Sequence, residues 1–140
     1  MPLAVNKPTL DLVIDAMRAK LITGNFGTEV TARVYYYEAP RDTTLPYCVF
    51  FAVDTIADME TFDRTSFRIR VQVSVYDSEA NGPRALGDIM DDLRDLLDRT
   101  VLTVAGHELL PCELEIQRGP TKEDDAWVCH ADYIVAGWKT

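Results

Sequence analysis

The chain has 140 residues, of which 23 are Asp or Glu and 14 are Lys or Arg, so its formal net charge at pH 7 is −9. With 47% hydrophobic and 26% charged residues it has the composition of a single globular domain, which excludes wholesale disorder. The acidic balance argues against a protein that wraps nucleic acid or binds an anionic membrane surface, because both need clustered Lys and Arg.

The N-terminal segment predicts neither a signal peptide nor a membrane span. Residues 1–17 lack a basic start and an uninterrupted apolar stretch, and no apolar run approaches the length of a transmembrane helix. The three cysteines, Cys48, Cys112 and Cys129, are an odd number without a C-x-x-C pair. Free thiols in a reducing compartment explain them, so we expect an intracellular protein with one domain over residues 1–140.

The first predicted element is a helix that begins near Thr9. Apolar residues recur at helical spacing as far as Leu21, and Gly24 is expected to end the helix. In the strand candidate at residues 66–76, five apolar residues alternate with polar ones, which indicates one buried and one solvated face. The other strands predicted in this half of the chain are residues 31–37 and 46–54.

Residues 54–65 lie between two predicted strands and carry four carboxylates against one arginine. We predict that they form a long hairpin connection, of a length that is usually functional or disordered. A second helix is predicted from Pro83, which suits the first helical turn, to Arg99. Its apolar side chains cover an arc of about 120° and five aspartates lie on the opposite side.

The C-terminal third is predicted to be β-structure. Residues 102–104 and 107–109 are expected to form a short hairpin. Residues 112–117 are predicted to be a strand, residues 118–125 a polar turn, and residues 127–138 a long final strand. The element order α-β-β-β-α-β-β-β predicts an α+β fold, with two main helices packed on a single, mostly antiparallel sheet.

No constellation of residues predicts an enzyme. His130 follows Cys129 in the last predicted strand, but adjacent strand residues point to opposite faces, so the two side chains should diverge. Phosphate-binding, dinucleotide-binding and nucleophile motifs are missing from the sequence, and the cysteines and histidines do not have the spacing of a zinc site. We therefore expect no catalytic residues, no cofactor and no metal.

The run of three tyrosines at residues 35–37 has two interpretations. It could be a base-stacking platform for single-stranded nucleic acid, but such platforms need surrounding cations and only Arg33 and Arg41 are near. We interpret the tyrosines instead as alternating between the core and a subunit interface.

The acidic connection and the acidic helix face are the remaining signals. A solvated surface explains both. Alternatively they meet a basic partner, and arginines on the wet face of the long strand supply the complement in a neighbouring subunit, a head-to-tail contact of the kind that closes into rings. The residues predicted for such an interface are Asp54, Asp58, Glu60, Asp63, Arg68, Arg70, Asp91 and Asp95.

The order of these patterns over nearly the whole chain resembles the tail-completion, or tail-terminator, proteins of long-tailed bacteriophages. The resemblance is carried by the strand LPYCVFF at residues 45–51, the strand FRIRVQVSVYD at residues 67–77, the helix RALGDIMDDL at residues 84–93 and the closing strand YIVAGW at residues 133–138. It depends on order, length and loose patterns, without an invariant catalytic motif.

The resemblance implies a structural protein of the virion neck, assembled in the cytoplasm of the bacterial host. Such proteins form a ring, expected to be a hexamer, that caps the tail tube, stops its polymerisation and joins it to the head, while DNA passes through without specific binding. The implied partners are other copies of the chain, the tail tube protein and the head-side connector or stopper. The alternatives are a head-side neck adaptor or stopper and, in another class, a small cytosolic ligand-binding or oligomeric enzyme domain.

Overall fold

The computed structural model describes residues 9–61 and 64–140, and within these ranges it describes only the backbone of residues 54–61 and 64–65. The helices are α1 (Thr9–Leu21), α2 (Gly24–Glu29) and α3 (Gly82–Leu97), the last preceded by a 3-10 turn at Glu79–Asn81. The strands are β1 (Val34–Tyr36), β2 (Tyr47–Thr61), β3 (Arg64–Ser78), β4 (His107–Leu109), β5 (Glu113–Glu123) and β6 (Ala126–Lys139). None of the described helices is long and apolar enough to span a membrane.

The six strands form one sheet in the order β1-β2-β3-β6-β4. Strand β5 pairs with β6 over the part of its length that β4 leaves free, so β4 and β5 together make the edge opposite β1. All pairs are antiparallel except β1 with β2, which are parallel. The predicted α+β class with a mostly antiparallel sheet is therefore confirmed.

The core lies on one face of this sheet. The alternating apolar residues of β3 are all buried there, as the period-two pattern predicted. Helix α3 packs over β3, β5 and β6, and α1 packs over β1 and β2. Each fully buried aliphatic side chain contributes about 1.5–3 kcal/mol, so this layer provides most of the stabilisation. The helical residues that it buries include Val13, Met17, Leu21, Leu86, Met90, Leu93 and Leu97.

The predicted connection over residues 54–65 is wrong, because its described residues, 54–61 and 64–65, are strand. Strand β2 runs to Thr61 and β3 begins at Arg64, and these two residues are backbone partners. Two register shifts interrupt the pairing of β2 with β3. Such bulges break the alternation of side chains between faces, so the sequence shows no period of two there. Asp63 lies outside the described residues.

The sequence also missed helix α2. Gly24 was expected to end the first helix, but α1 already ends at Leu21 and Gly24, with φ of +67°, begins α2. A helix of six residues is too short to show a helical period, although it buries Phe26 completely. The first strand begins at Val34 rather than at Thr31, because Thr31 has a left-handed φ of 54°.

Two boundaries in the C-terminal third differ from prediction. Residues 102–104 are not a strand, and β4 pairs with β6 instead. The predicted polar turn at residues 118–125 is mostly the second half of β5. Strand β5 lies at the edge of the sheet, nearly every residue of it is exposed, and two register shifts interrupt its pairing with β6. An exposed strand of this kind can be polar and can contain a proline such as Pro120, so its sequence resembles that of a turn.

Alanine substitutions at two glycines, Gly137 in β6 and Gly87 in α3, test the packing of the sheet and of the helix. A Cβ at Gly137 would lie 2.9 Å from the Leu109 Cα and still closer to the Glu108 carbonyl oxygen, whereas a Cβ at Gly87 in α3 meets nothing within 4 Å. We expect Gly137→Ala to displace β4 and lower the free energy of unfolding by about 1–3 kcal/mol. Its matched control, Gly87→Ala, should raise that free energy by about 1 kcal/mol. Urea denaturation measures both, and a neutral Gly137→Ala would contradict this packing.

Candidate assembly surface

The face of the sheet opposite the helices has no helix upon it in the part of the chain that the structure describes. Because α1 and α3 both pack on the core face, this second face is contributed by the alternate positions of β2, β3, β5 and β6. We call it the free face. Together with the two sheet edges, it is a surface that the fold leaves open to a partner.

Polar side chains form a hydrogen-bonded network at the centre of the free face. The Ser74 hydroxyl lies 2.7 Å from His130 Nδ1, and the amide nitrogen of Gln72 lies 3.2 Å from the same atom. The Arg118 guanidinium donates to Gln72 at 3.4 Å and to Asp132 at 3.3 Å. Ser74 and Asp132 are only 3% and 7% exposed, so these bonds satisfy groups that would otherwise be buried at a cost.

This network does not have the arrangement of a catalytic triad. Asp132 binds Arg118 rather than the imidazole, so it cannot orient His130 as a base. Burial, together with nearby Arg118, lowers the pKa of His130, which favours the neutral ring that accepts a hydrogen bond. Among the described residues no group of three His, Cys, Asp or Glu side chains could hold a metal ion.

Cys129 and His130 diverge as predicted. Cys129 is 1% exposed on the core side, whereas His130 belongs to the polar network of the free face. Burial raises the pKa of the Cys129 thiol, so this group is not a thiolate nucleophile. The structure therefore assigns packing to Cys129 and hydrogen bonding to His130.

The two arginines that were predicted to meet a neighbouring subunit are bound within the chain. Arg70 Nε lies 2.9 Å from one carboxylate oxygen of Glu115, and Arg68 Nη2 lies 3.8 Å from the other. Both arginines are on the free face, as the alternation in β3 indicated. Such partly exposed pairs contribute at most about 1 kcal/mol, so a partner carboxylate could replace Glu115 at little cost.

Of the described acidic residues of the predicted interface, Asp54 lies beside these arginines, since it is the backbone partner of Arg70 in the pairing of β2 with β3, and the others lie elsewhere. Asp91 and Asp95 are exposed on α3, which packs on the core face, so they are separated from the arginines by the sheet. The backbones of Asp58 and Glu60 lie along β2 near the end of the β2–β3 hairpin. The described interface candidates thus fall in three places, namely the paired strands around Asp54 and Arg70, the end of the hairpin, and α3.

A pair of carboxyl groups between α2 and α3 was not predicted, because α2 itself was not predicted. Burial first, then a hydrogen bond to Asp92 and the charges of Asp92 and Asp88, together raise the pKa of Glu29 to about 7. The buried Glu29 Oε2 has no donor among the described residues. A protonated Glu29 can donate a hydrogen bond to the Asp92 carboxylate, so the contact between the two helices depends on pH.

This pair predicts a pH-dependent stability. As pH rises from 4.5, the ordinary pKa of a glutamate, to about 7, the unfolded chain releases the proton of Glu29 before the native chain does. The pair therefore lowers the free energy of unfolding over that range. We expect Glu29→Gln to raise the melting temperature relative to wild type above pH 7 and not below pH 4.5. Thermal melts across this range measure the effect. Glu108→Gln, at an exposed position, is the control, and an equal response of both variants would contradict the raised pKa of Glu29.

Comparison with known proteins identifies the family. Residues 15–131 match the family model described as tail completion protein gp17. A chain of the structure titled "Virion of native gene transfer agent (GTA) particle" is similar with a TM-score of 0.67 and 15% identity, over 99% of this chain and 98% of that chain. A second solved chain has a TM-score of 0.66 and 17% identity, over 93% and 95% respectively. No curated protein sequence matches.

At 15% and 17% sequence identity, the two similar solved structures show that this chain shares their fold. The family match covers most of the chain and agrees with the resemblance noted in the sequence. The family match points to a structural role in tail completion. The chain belongs to the tail completion protein gp17 family.

Proposed function

We propose that the chain forms a ring at the end of the phage tail tube, stops the growth of the tube and joins the tail to the head connector, with DNA passing through the ring. Tail completion is the role of the family. The observation that carries the finer proposal is the one-sided sheet, which has helices on one face and leaves the other face and both edges to partners. Membership of a hexamer is part of this proposal.

A ring needs two unlike surfaces on opposite sides of each copy. The short strand β1 forms one edge of the sheet, and β4 with β5 forms the other. Contact between unlike edges is heterologous, and a heterologous contact that repeats by rotation closes into a ring. The sheet order therefore supports a cyclic assembly better than a two-fold dimer.

Passage of DNA through the ring is supported by the charge of the chain. Every captured phosphate would add affinity that does not depend on sequence, and would hold the DNA in place. The formal charge of −9 opposes such capture. On the free face, Arg70 and Arg118 are already bound to Glu115 and Asp132 of the same chain. A protein of this kind guides DNA by its shape.

The end of the β2–β3 hairpin is the proposed contact with the protein neighbours of the ring. The last backbone partner that β6 provides to β3 is at Ser66, so beyond it the two hairpin strands pair only with each other among the described residues. Glu60 belongs to this part of the hairpin, and Asp58 lies in the register shift directly before it. We propose that they meet a basic surface on the tail tube or the head connector.

The ring predicts a visible structure at one end of the tail. When the purified protein is added to tails assembled without it, electron microscopy should show one additional ring of density at the head-proximal end of each tube, and the tails should then join to filled heads. Binding to heads but not to tails would instead indicate the head-side adaptor. A monomer that binds neither but holds a small molecule would contradict the proposal.

Charge reversal tests the hairpin contact. We expect the double variant Asp58→Lys and Glu60→Lys to reduce the joining of tails to heads by at least tenfold, because about 1.4 kcal/mol of lost interaction already has that effect. Counts of infectious particles after mixing tails and heads measure the joining. The control is Asp11→Lys with Asp125→Lys, two exposed positions away from the hairpin. If the hairpin variant joins tails to heads normally and both variants keep the wild-type melting temperature, the proposed hairpin contact is contradicted.

A further inference from the structure

Exposed apolar side chains mark both edges of the sheet. At the β1 edge, Tyr36, Tyr37 and Val53 are 39%, 71% and 48% exposed. We call these three residues the tyrosine edge. Tyr37 continues directly from β1, and Val53 lies in β2 beyond the last residue that pairs with β1.

The opposite edge carries a second apolar group. Val101, Leu110 and Ile116 are 54%, 49% and 46% exposed, and they lie beside β4 and in β5. We call these three residues the valine edge. Beside β4 the surface is concave, with a volume of about 350 Å³ lined by Val101, Leu109, Trp138 and their neighbours. Ile22 is the one further large hydrophobic side chain exposed in the described part of the chain, and it lies between α1 and α2.

The aromatic rings of the tyrosine edge pack against phenylalanine rings of β2. The Tyr37 ring lies edge-on to Phe51 with 6.1 Å between the centroids, and the Tyr36 ring lies edge-on to Phe50 at 5.3 Å. Rings that are already held in place lose little conformational entropy when a partner covers them, and exposed tyrosines are typical of protein interfaces. The tyrosine edge therefore has the character of an interface before a partner binds.

Charge decides which surface covers it. Residues 101–117 carry three glutamates and no lysine or arginine, and although Glu115 is bound to Arg70, Glu108 and Glu113 leave this edge negative, so two valine edges placed together would repel each other. Residues 31–43 carry two arginines, one glutamate and one aspartate, and are therefore neutral. Contact between unlike edges avoids the repulsion and covers both apolar groups.

We propose that the tyrosine edge of one copy docks on the valine edge of the next, with the Tyr37 ring entering the concave surface beside β4. This inference depends on the proposed ring and names the contact that closes it. It also assigns a role to the tyrosine run at residues 35–37, which the polar network and the hairpin leave unexplained. The contact is head-to-tail, so each copy uses both edges.

Chemical cross-linking of the full-length protein tests the contact even when it is transient. In the double variant Tyr37→Cys and Val101→Cys, the new thiols lie on opposite edges of one copy, so a short bis-maleimide can join them only between copies. The native cysteines Cys48, Cys112 and Cys129 are all buried and should not react. We expect a ladder of cross-linked multimers that stops at the number of copies in the ring.

The matched control replaces the valine-edge residue by one away from both edges, as Tyr37→Cys with Ile22→Cys. It should give no ladder, and each single cysteine variant should stay monomeric. A ladder of equal strength in the control, or none in the Tyr37–Val101 variant, would overturn the edge contact. If wild-type rings on tails are nevertheless seen by microscopy, the proposed function stands and only this contact fails; if neither rings nor ladders form, both fail.

Discussion

The burial of one face of a six-stranded sheet is the interaction on which the rest of the structure depends. Helix α3 covers the half of the sheet built from β3, β5 and β6, and α1 covers the half built from β1 and β2. The apolar residues of β3 project into this layer and their polar neighbours project away from it. Burial of this face therefore determines which side of the sheet forms the core and which side remains accessible to other proteins.

The free face remains ordered without a covering layer because its polar groups bind one another. Ser74, Gln72 and His130 join β3 to β6, and Arg118 extends the network to β5. The bonds cross strands that are far apart in the chain, so they strengthen the sheet register as well as satisfying buried atoms. His130 therefore has a structural role in the sheet, while the neighbouring Cys129 packs in the core.

The sequence predicted those parts of the fold whose patterns are long and regular. The α+β class, the alternation in β3 and the helix α3 followed directly from periodicity. The second half of β5 and the far end of β2 were missed, because bulges and edge exposure remove the alternation that identifies a strand. Helix α2 was too short for a period, so the Glu29 carboxyl pair could not be found. The pairing of Arg70 with Glu115 depends on tertiary contact between β3 and β5, which no local pattern shows.

Strand β5 has a further consequence for how copies of this protein can associate. An unprotected edge strand accepts another strand by backbone pairing, and such addition has no natural end, so it leads toward fibrils. The two register shifts of β5, its charged side chains and Pro120 interrupt the row of backbone donors and acceptors. These features therefore oppose the continuous addition of strands at this edge. Copies then associate through side chains, and the angle between neighbouring copies limits how many can join.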